Sequence, residues 1–508
     1  VTATPSVVVI GAGVGGLATA IHLARRGVQV TVVEKNAEPG GRVGSFVRGG
    51  HAFATGPTLL VMPRLYRTEL AALGADFDRD LEPQRVDPTY HLVFDDGARL
   101  DLTSDLAALS AQVEAIEPGA TEGLLRYLAE GRRHYDLAMP GLVERDFRTA
   151  REFFTPKTLA LALRLGALQP HYRHLAAFFD EPRLRAAFSF QDVYMGLSPF
   201  RAPSTFSLTP FSELAHGVWY PRGGMRRIVD VLAALALEAG VRFVYDEAVE
   251  RIGIDGDSAG GVVLAGGRVI RADAVVANAD LPYVYRRLLP DGRKASALAR
   301  RRSSGSAISF FWGMDRPYPQ LAPHTLFLAD DYRDNFDRIE RNLPLPAAPS
   351  LYVHAPRRLD PTAAPSAGDT IVAVVPTGHM TYDGDDPERS DREAEAWTVA
   401  RDAARRAVLD RLALLGLGDL ESHITVEATA TPLDWRSRFN LERGATHGLA
   451  HTLTQLAYLR PHNRHRRYRN VYFAGASTHP GTGVPTALVS GRLAALRILD
   501  DLGRGGRR

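Results

Sequence analysis

Glycines 11, 13 and 16 form Gly-x-Gly-x-x-Gly directly after the apolar run at residues 7–10. That spacing gives a tight turn, a close backbone approach for a pyrophosphate, and close packing of the next helix on the turn. Glu34 ends a second apolar run, 28–33, where a carboxylate can accept hydrogen bonds from a ribose diol, with Lys35 beside it. Pro39-Gly40-Gly41-Arg42 then folds the chain back and supplies a fixed cation for a phosphate. Thr55-Gly56-Pro57-Thr58 is a rigid small-residue turn suited to lie against a flat ring. Far away in the chain, Gly475-Ala476-Ser-Thr-His-Pro-Gly-Thr-Gly483-Val484-Pro485 offers backbone at a second helix start, able to stabilise negative charge on a reduced ring. Two such sites at opposite ends of one chain imply a single large cofactor clasped by both. The expected cofactor is FAD.

These residues need elements to hold them. Residues 7–10 and 28–33 read as buried parallel strands around a helix with Leu17, Ala20, Ile21 and Ala24 at helical spacing, stopped by Gly27. Asp95-Asp-Gly97 between 90–94 and 100–102 signals a hairpin. Residues 106–192 are helical in pattern, 226–239 form an amphipathic helix, and 241–245, 249–254, 262–264 and 272–279 read as strands. Val249 is a candidate for backbone contact to adenine. A strand-rich region runs from 306 to about 426, and a close-packing helix follows Pro485. The expected fold is α/β: a Rossmann-like, discontinuous FAD domain (1–100, 215–300 and 425–508) with an inserted mixed α+β substrate and membrane-associated domain (101–214 and 301–424).

Composition narrows the chemistry. The 508 residues can bury a large core, and the absence of cysteine excludes disulfides, thiolate nucleophiles and cysteine metal sites. No metal constellation or Gly-x-Ser-x-Gly is present, and a net charge of +3 calls for no nucleic acid. The first strand begins so near residue 1 that no signal peptide is expected, which favours the cytoplasm. The basic stretch 460–469 is either a solvated connection or a contact for anionic headgroups, and the tail 503–508 is expected to lack regular structure. His51, His447, His451 and His479 could handle protons, though a structural role is the stronger expectation for each.

With Gly217-Val-Trp-Tyr-Pro-Arg-Gly-Gly224 added, the set resembles the bacterial-type phytoene desaturases, carotenoid dehydrogenases of the flavin amine oxidase superfamily. The terminal glycine motifs carry the superfamily; the 217–224 block and the Thr478-His-Pro-Gly-Thr-Gly-Val-Pro485 loop carry the narrower likeness. The resemblance implies removal of a hydride and a proton from adjacent carbons of an apolar isoprenoid, the hydride passing to FAD. It also implies peripheral attachment to the inner face of the cell membrane. Phe188, Phe190, Tyr194, Trp219, Phe310, Phe311 and Trp312 are candidates for a substrate tunnel. No catalytic acid or base is assigned, and the sequence sets no oligomeric state. Ala54 stands where that family usually has an aspartate. Open alternatives are oxidation of an amine, a porphyrinogen or an oxygenated carotenoid, a carotenoid saturase or isomerase, and a non-redox isoprenoid escort.

Overall fold

The computed structural model describes residues 4–384 and 386–505. Its central sheet has five parallel strands in the order Val471–Phe473, Ala274–Ala277, Ser6–Ile10, Gln29–Val33 and Arg242–Val244. The strands Val471–Phe473, Ala274–Ala277 and Ser6–Ile10 are nearly continuously apolar because both faces are covered, while the edge strand Arg242–Val244 is less buried. Val7 and Val9 face a core made with the helices Val14–Ala24 and Arg226–Glu238. Val8 and Ile10 face the opposite core, against the antiparallel strands Val249–Asp255 and Ser258–Leu264. Full burial of one such side chain is worth about 1.5–3 kcal/mol. Strands drawn from three distant parts of the chain thus build the nucleotide-binding layer.

The second large sheet has seven strands: Ile424–Ala430, Ser306–Met314, Asp369–Thr377, Leu351–His354, His324–Leu328, Tyr90–Phe94 and Arg99–Leu102. Only the pair His324–Leu328 with Tyr90–Phe94 is parallel; the other pairs are antiparallel. The hairpin signalled by Asp95-Asp-Gly97 is therefore present, as part of this sheet. Segments 1–100 and 425–508 each contribute strands to both large sheets or their edges. The helical pattern of 106–192 resolves into Leu106–Ile116, Ala120–Ala138, Pro156–Arg164 and shorter turns. The buried faces of the first two pack on Tyr90, Leu92 and Leu100 of the hairpin.

The last helix, Val484–Gly505, includes the start of the basic tail expected to be irregular. Residues 506–508 of that tail lie outside the described residues. Among the described residues, no helix is long and apolar enough to cross a membrane.

Candidate active site

A cavity of about 980 Å³ runs from the glycine turn to the inner helices. At its nucleotide end the helix Val14–Ala24 begins behind Gly13 with no side chain capping it, so its first amides are open to an anion. Gly16 does not line the cavity; it sits behind the turn, where a Cβ would overlap the Gly11 carbonyl oxygen. Glu34 is buried and lines the cavity. Its Oε2 accepts from the Ala12 amide at 2.8 Å, and its Oε1 accepts from the Asn36 amide and side chain at 3.0 and 2.7 Å. These bonds hold the carboxylate at the strand end.

Gly40 bridges to Gly13, and its amide donates to the Ala12 carbonyl at 2.9 Å, which brings Gly41 and Arg42 to the cavity. Arg42 donates to the Thr446 carbonyl at 2.7 Å. Burial lowers its pKa, opposed by the Asp280 carboxylate. Lys35 donates to the Ser437 carbonyl at 2.6 Å and Asn440 Oδ1 at 3.1 Å, tying that corner over the cavity. Gly56, Pro57, Thr58, Val249, Gly475, Ala476, Gly483 and Val484 also line it. A Cβ at Gly56 would overlap the Arg42 carbonyl oxygen, so the 55–58 turn closes on the Gly-Gly-Arg turn only with glycine there.

These features fit FAD: an uncapped helix start, an acid at the second strand's end, a fixed cation, and a glycine cradle that added Cβ atoms would fill. The buried Thr55 hydroxyl, which has no hydrogen-bond partner among the described residues and belongs to the turn, completes the donor set.

The family of flavin containing amine oxidoreductases matches residues 14–499. The chain belongs to that family. Its relatives include a zeta-carotene-forming phytoene desaturase of Myxococcus xanthus, 40% identical over 97% of this chain and 93% of the relative. A phytoene desaturase of Fusarium fujikuroi is 38% identical over 98% of this chain and 90% of the relative. Among solved structures, putrescine oxidase bound to putrescine superposes with a TM-score of 0.64 at 17% identity, covering 98% of this chain and 99% of that one. A CLA-producing fatty acid isomerase from P. acnes gives 0.57 at 14%, covering 97% and 98%. The flavin amine oxidase fold is therefore that of this chain, and its cofactor is FAD.

Several residues of this flavoenzyme sit elsewhere than expected. Of the aromatic candidates, Phe190 and Tyr194 line the cavity. Phe188 stacks on Phe179, Trp219 packs edge-on to Phe77, and Phe310, Phe311 and Trp312 fill separate cores. The stretch 460–469 is not a free basic loop. Arg460 is only 1% exposed and donates to the carbonyls of Leu449, Ala450, Gln455, Ala476 and Thr478 at 2.6–3.3 Å. Burial pushes its pKa down to about 9. Asn463, His465 and Tyr468 are buried too, while Arg464 pairs with Asp501 and Arg469 with Asp257.

His447, His451 and His479 line the cavity, each with a pKa lowered chiefly by burial. His51 lies outside the cavity and hydrogen-bonds Thr370 Oγ1 at 3.0 Å. Ala54 pairs with Ser45 on a two-stranded ribbon and is not part of the cavity wall.

Two further residues went unread in the sequence. Asn278 follows the strand Ala274–Ala277 and donates to the Gly11 carbonyl at 3.3 Å, against the glycine turn. Asp280 is buried and accepts from the Ser477 hydroxyl and, at 3.0 Å, from the Glu442 amide. Both follow an apolar strand as single polar letters in a small-residue stretch. An acid or amide just past a parallel strand's C-terminal end, where ligands bind in such sheets, was the available signal.

Proposed function

We propose that this chain is an FAD-dependent carotenoid desaturase acting on phytoene or a close relative. The observation that carries this is the cavity's composition. Charged groups gather at the nucleotide end, while Leu142, Leu165, Phe190, Leu208, Leu326 and Leu328 line its continuation. A hydrocarbon without a polar handle is held there by apolar contact and shape, so specificity follows the cavity's length and width. FAD, when bound, supplies hydride acceptance. The protein's part is to place the substrate, exclude water and receive a proton. The names of the full-length relatives support the same reaction. In a phytoene-accumulating bacterial host, expression should consume phytoene and yield coloured, more conjugated products separable by chromatography. Unchanged phytoene beside soluble, flavin-loaded protein would sink the assignment.

The same reading brings the enzyme to a membrane surface at the cytoplasmic face, where such a substrate resides. What supports it is a patch at the cavity's rim rather than the basic stretch. Phe154, Leu159, Leu163 and Leu168 are 65%, 64%, 61% and 72% exposed, and Phe154 and Leu159 also line the cavity. The helix Pro156–Arg164 that carries the two leucines has no buried residue, and Arg151, Lys157 and Arg164 flank the patch. Such an apolar ridge with basic neighbours suits the headgroup boundary of a bilayer containing anionic lipid. L159S/L163S should lose flotation with liposomes while remaining yellow and folded. Equal flotation of variant and wild type would remove this helix from the interface.

A further inference from the structure

The turn that carries Thr58 continues into a buried hydrogen-bonded chain. Thr58 Oγ1 meets Tyr352 Oη at 2.6 Å, and Tyr352 Oη meets His324 Nδ1 at 2.6 Å. Thr58 and Tyr352 both line the cavity, beside Tyr90, Phe190 and Tyr194. The His324 ring is fully buried, stacked at 4.7 Å on His354 and at 6.0 Å on Tyr352. His354 Nδ1 lies 2.9 Å from the Pro323 carbonyl, which can only accept, so that nitrogen carries its hydrogen. His324 Nε2 has no hydrogen-bond partner among the described residues. The cross-strand register sets His324 opposite His354 and Leu326 opposite Tyr352, which fixes the cluster on rigid strands.

We propose that Tyr352, backed by His324, receives the proton released in desaturation. The assignment rests on the desaturase reading above. One substrate C–H bond leaves as hydride, electron pair included, which is the chemistry FAD supplies. The adjacent C–H gives its proton to Tyr352 Oη while the phenol hydrogen passes to His324 Nδ1. The electron pair left behind becomes the new double bond, the positive charge moves from substrate to imidazole, and Thr58 donates to Tyr352 Oη throughout.

A hydrogen beside a carbocation is so acidic that a weak base suffices, and His324 is one: burial, then His354, hold its pKa well below the usual imidazole range. The same burial expels the proton back through Tyr352 once water replaces product. Other cavity groups are less available. His451 Nε2 already accepts the Thr482 amide at 3.0 Å, and Asp280 is bound to Ser477 and the Glu442 amide. His479 donates through Nε2 to the Arg145 carbonyl at 2.9 Å, while His423, outside the cavity and hydrogen-bonded to Asp315 at 2.8 Å, serves as the comparison.

The test uses the holoenzyme with Y352F and H423Q. Anaerobic single-turnover mixing with phytoene should yield the more conjugated product about 100-fold more slowly in Y352F than in wild type, the range for a lost acid–base group, with H423Q unaffected. Independently of turnover, a dimethylamino analogue of phytoene, cationic at the reacting carbon, should bind Y352F about tenfold more weakly. Phytoene itself should bind both proteins equally, an asymmetry that mere loss of packing does not produce. Wild-type rates in Y352F, or an equal slowing in H423Q, would overturn the assignment while leaving desaturation intact. A wild type inert toward phytoene would overturn the desaturase reading and this one together. Should Y352F fail to fold, 3-fluorotyrosine at position 352 replaces it: a changed rate of product formation supports the relay and an unchanged one overturns it.

Discussion

A single methyl group separates a working nucleotide turn from a blocked one at Gly16, where the added carbon would overlap the Gly11 carbonyl oxygen. G16A should therefore bind FAD at least tenfold more weakly and cost about 1–3 kcal/mol through forced backbone movement. Titration of the apoprotein with FAD and a thermal melt measure the two effects.

Glu213 gives a residue-scale prediction of another kind. It is buried on the helix Leu208–His216, accepts from Gln191 Nε2 at 3.2 Å, and has its pKa raised to about 8 by burial. Unfolded, the same acid ionises near pH 4.5. Between these values the folded state binds the extra proton, so Glu213 lowers stability progressively as pH rises from about 4.5 to about 8. The Tm difference between E213Q and wild type should widen in favour of E213Q across that window; a constant difference would show that Glu213 titrates normally.

Elements here are placed by caps as much as by apolar faces. Pro156–Arg164 buries no side chain, so its helicity leans on Thr155, whose hydroxyl accepts from the Thr158 amide at 3.1 Å, and on Pro156 at the first position. T155A should cost about 1 kcal/mol locally. Hydrogen exchange across 156–164 should then quicken about fivefold, with the melting of the whole protein little changed. Unchanged exchange would mean that packing, not the cap, holds this helix.

The whole molecule depends on a contact between segments that are not neighbours in the chain. Arg460, almost wholly buried, gathers carbonyls from 449–455 and from the cofactor loop at 476–478. R460M fills similar volume but leaves those oxygens unpaired, at about 1–3 kcal/mol for each buried group that finds no new partner. Expected outcomes are a clearly lowered Tm and protein purified with less than stoichiometric FAD, read from the flavin-to-protein absorbance ratio. A melt and flavin content equal to wild type would show the loop to be self-supporting.

The residues alone determine the nucleotide end, because its chemistry is local. Glycines, an apolar strand, Glu34 and Arg42 lie within residues 7–42, and backbone geometry at that range follows from residue type. The parallel strands and the hairpin at 90–102 were legible for the same reason, through periodicity and turn letters. Only the tertiary structure decided which aromatics face the cavity. Phe310, Phe311 and Trp312 alternate across a sheet with cores on both sides, so apolar letters on such a strand do not tell one face from the other. Arg460 misled for a related reason: a basic run reads as solvated unless folding surrounds one member with carbonyl oxygens. The chain from Thr58 through Tyr352 to His324 was equally hidden, since Thr58 lies 294 positions from Tyr352 and the three share no pattern until the sheet register sets them side by side.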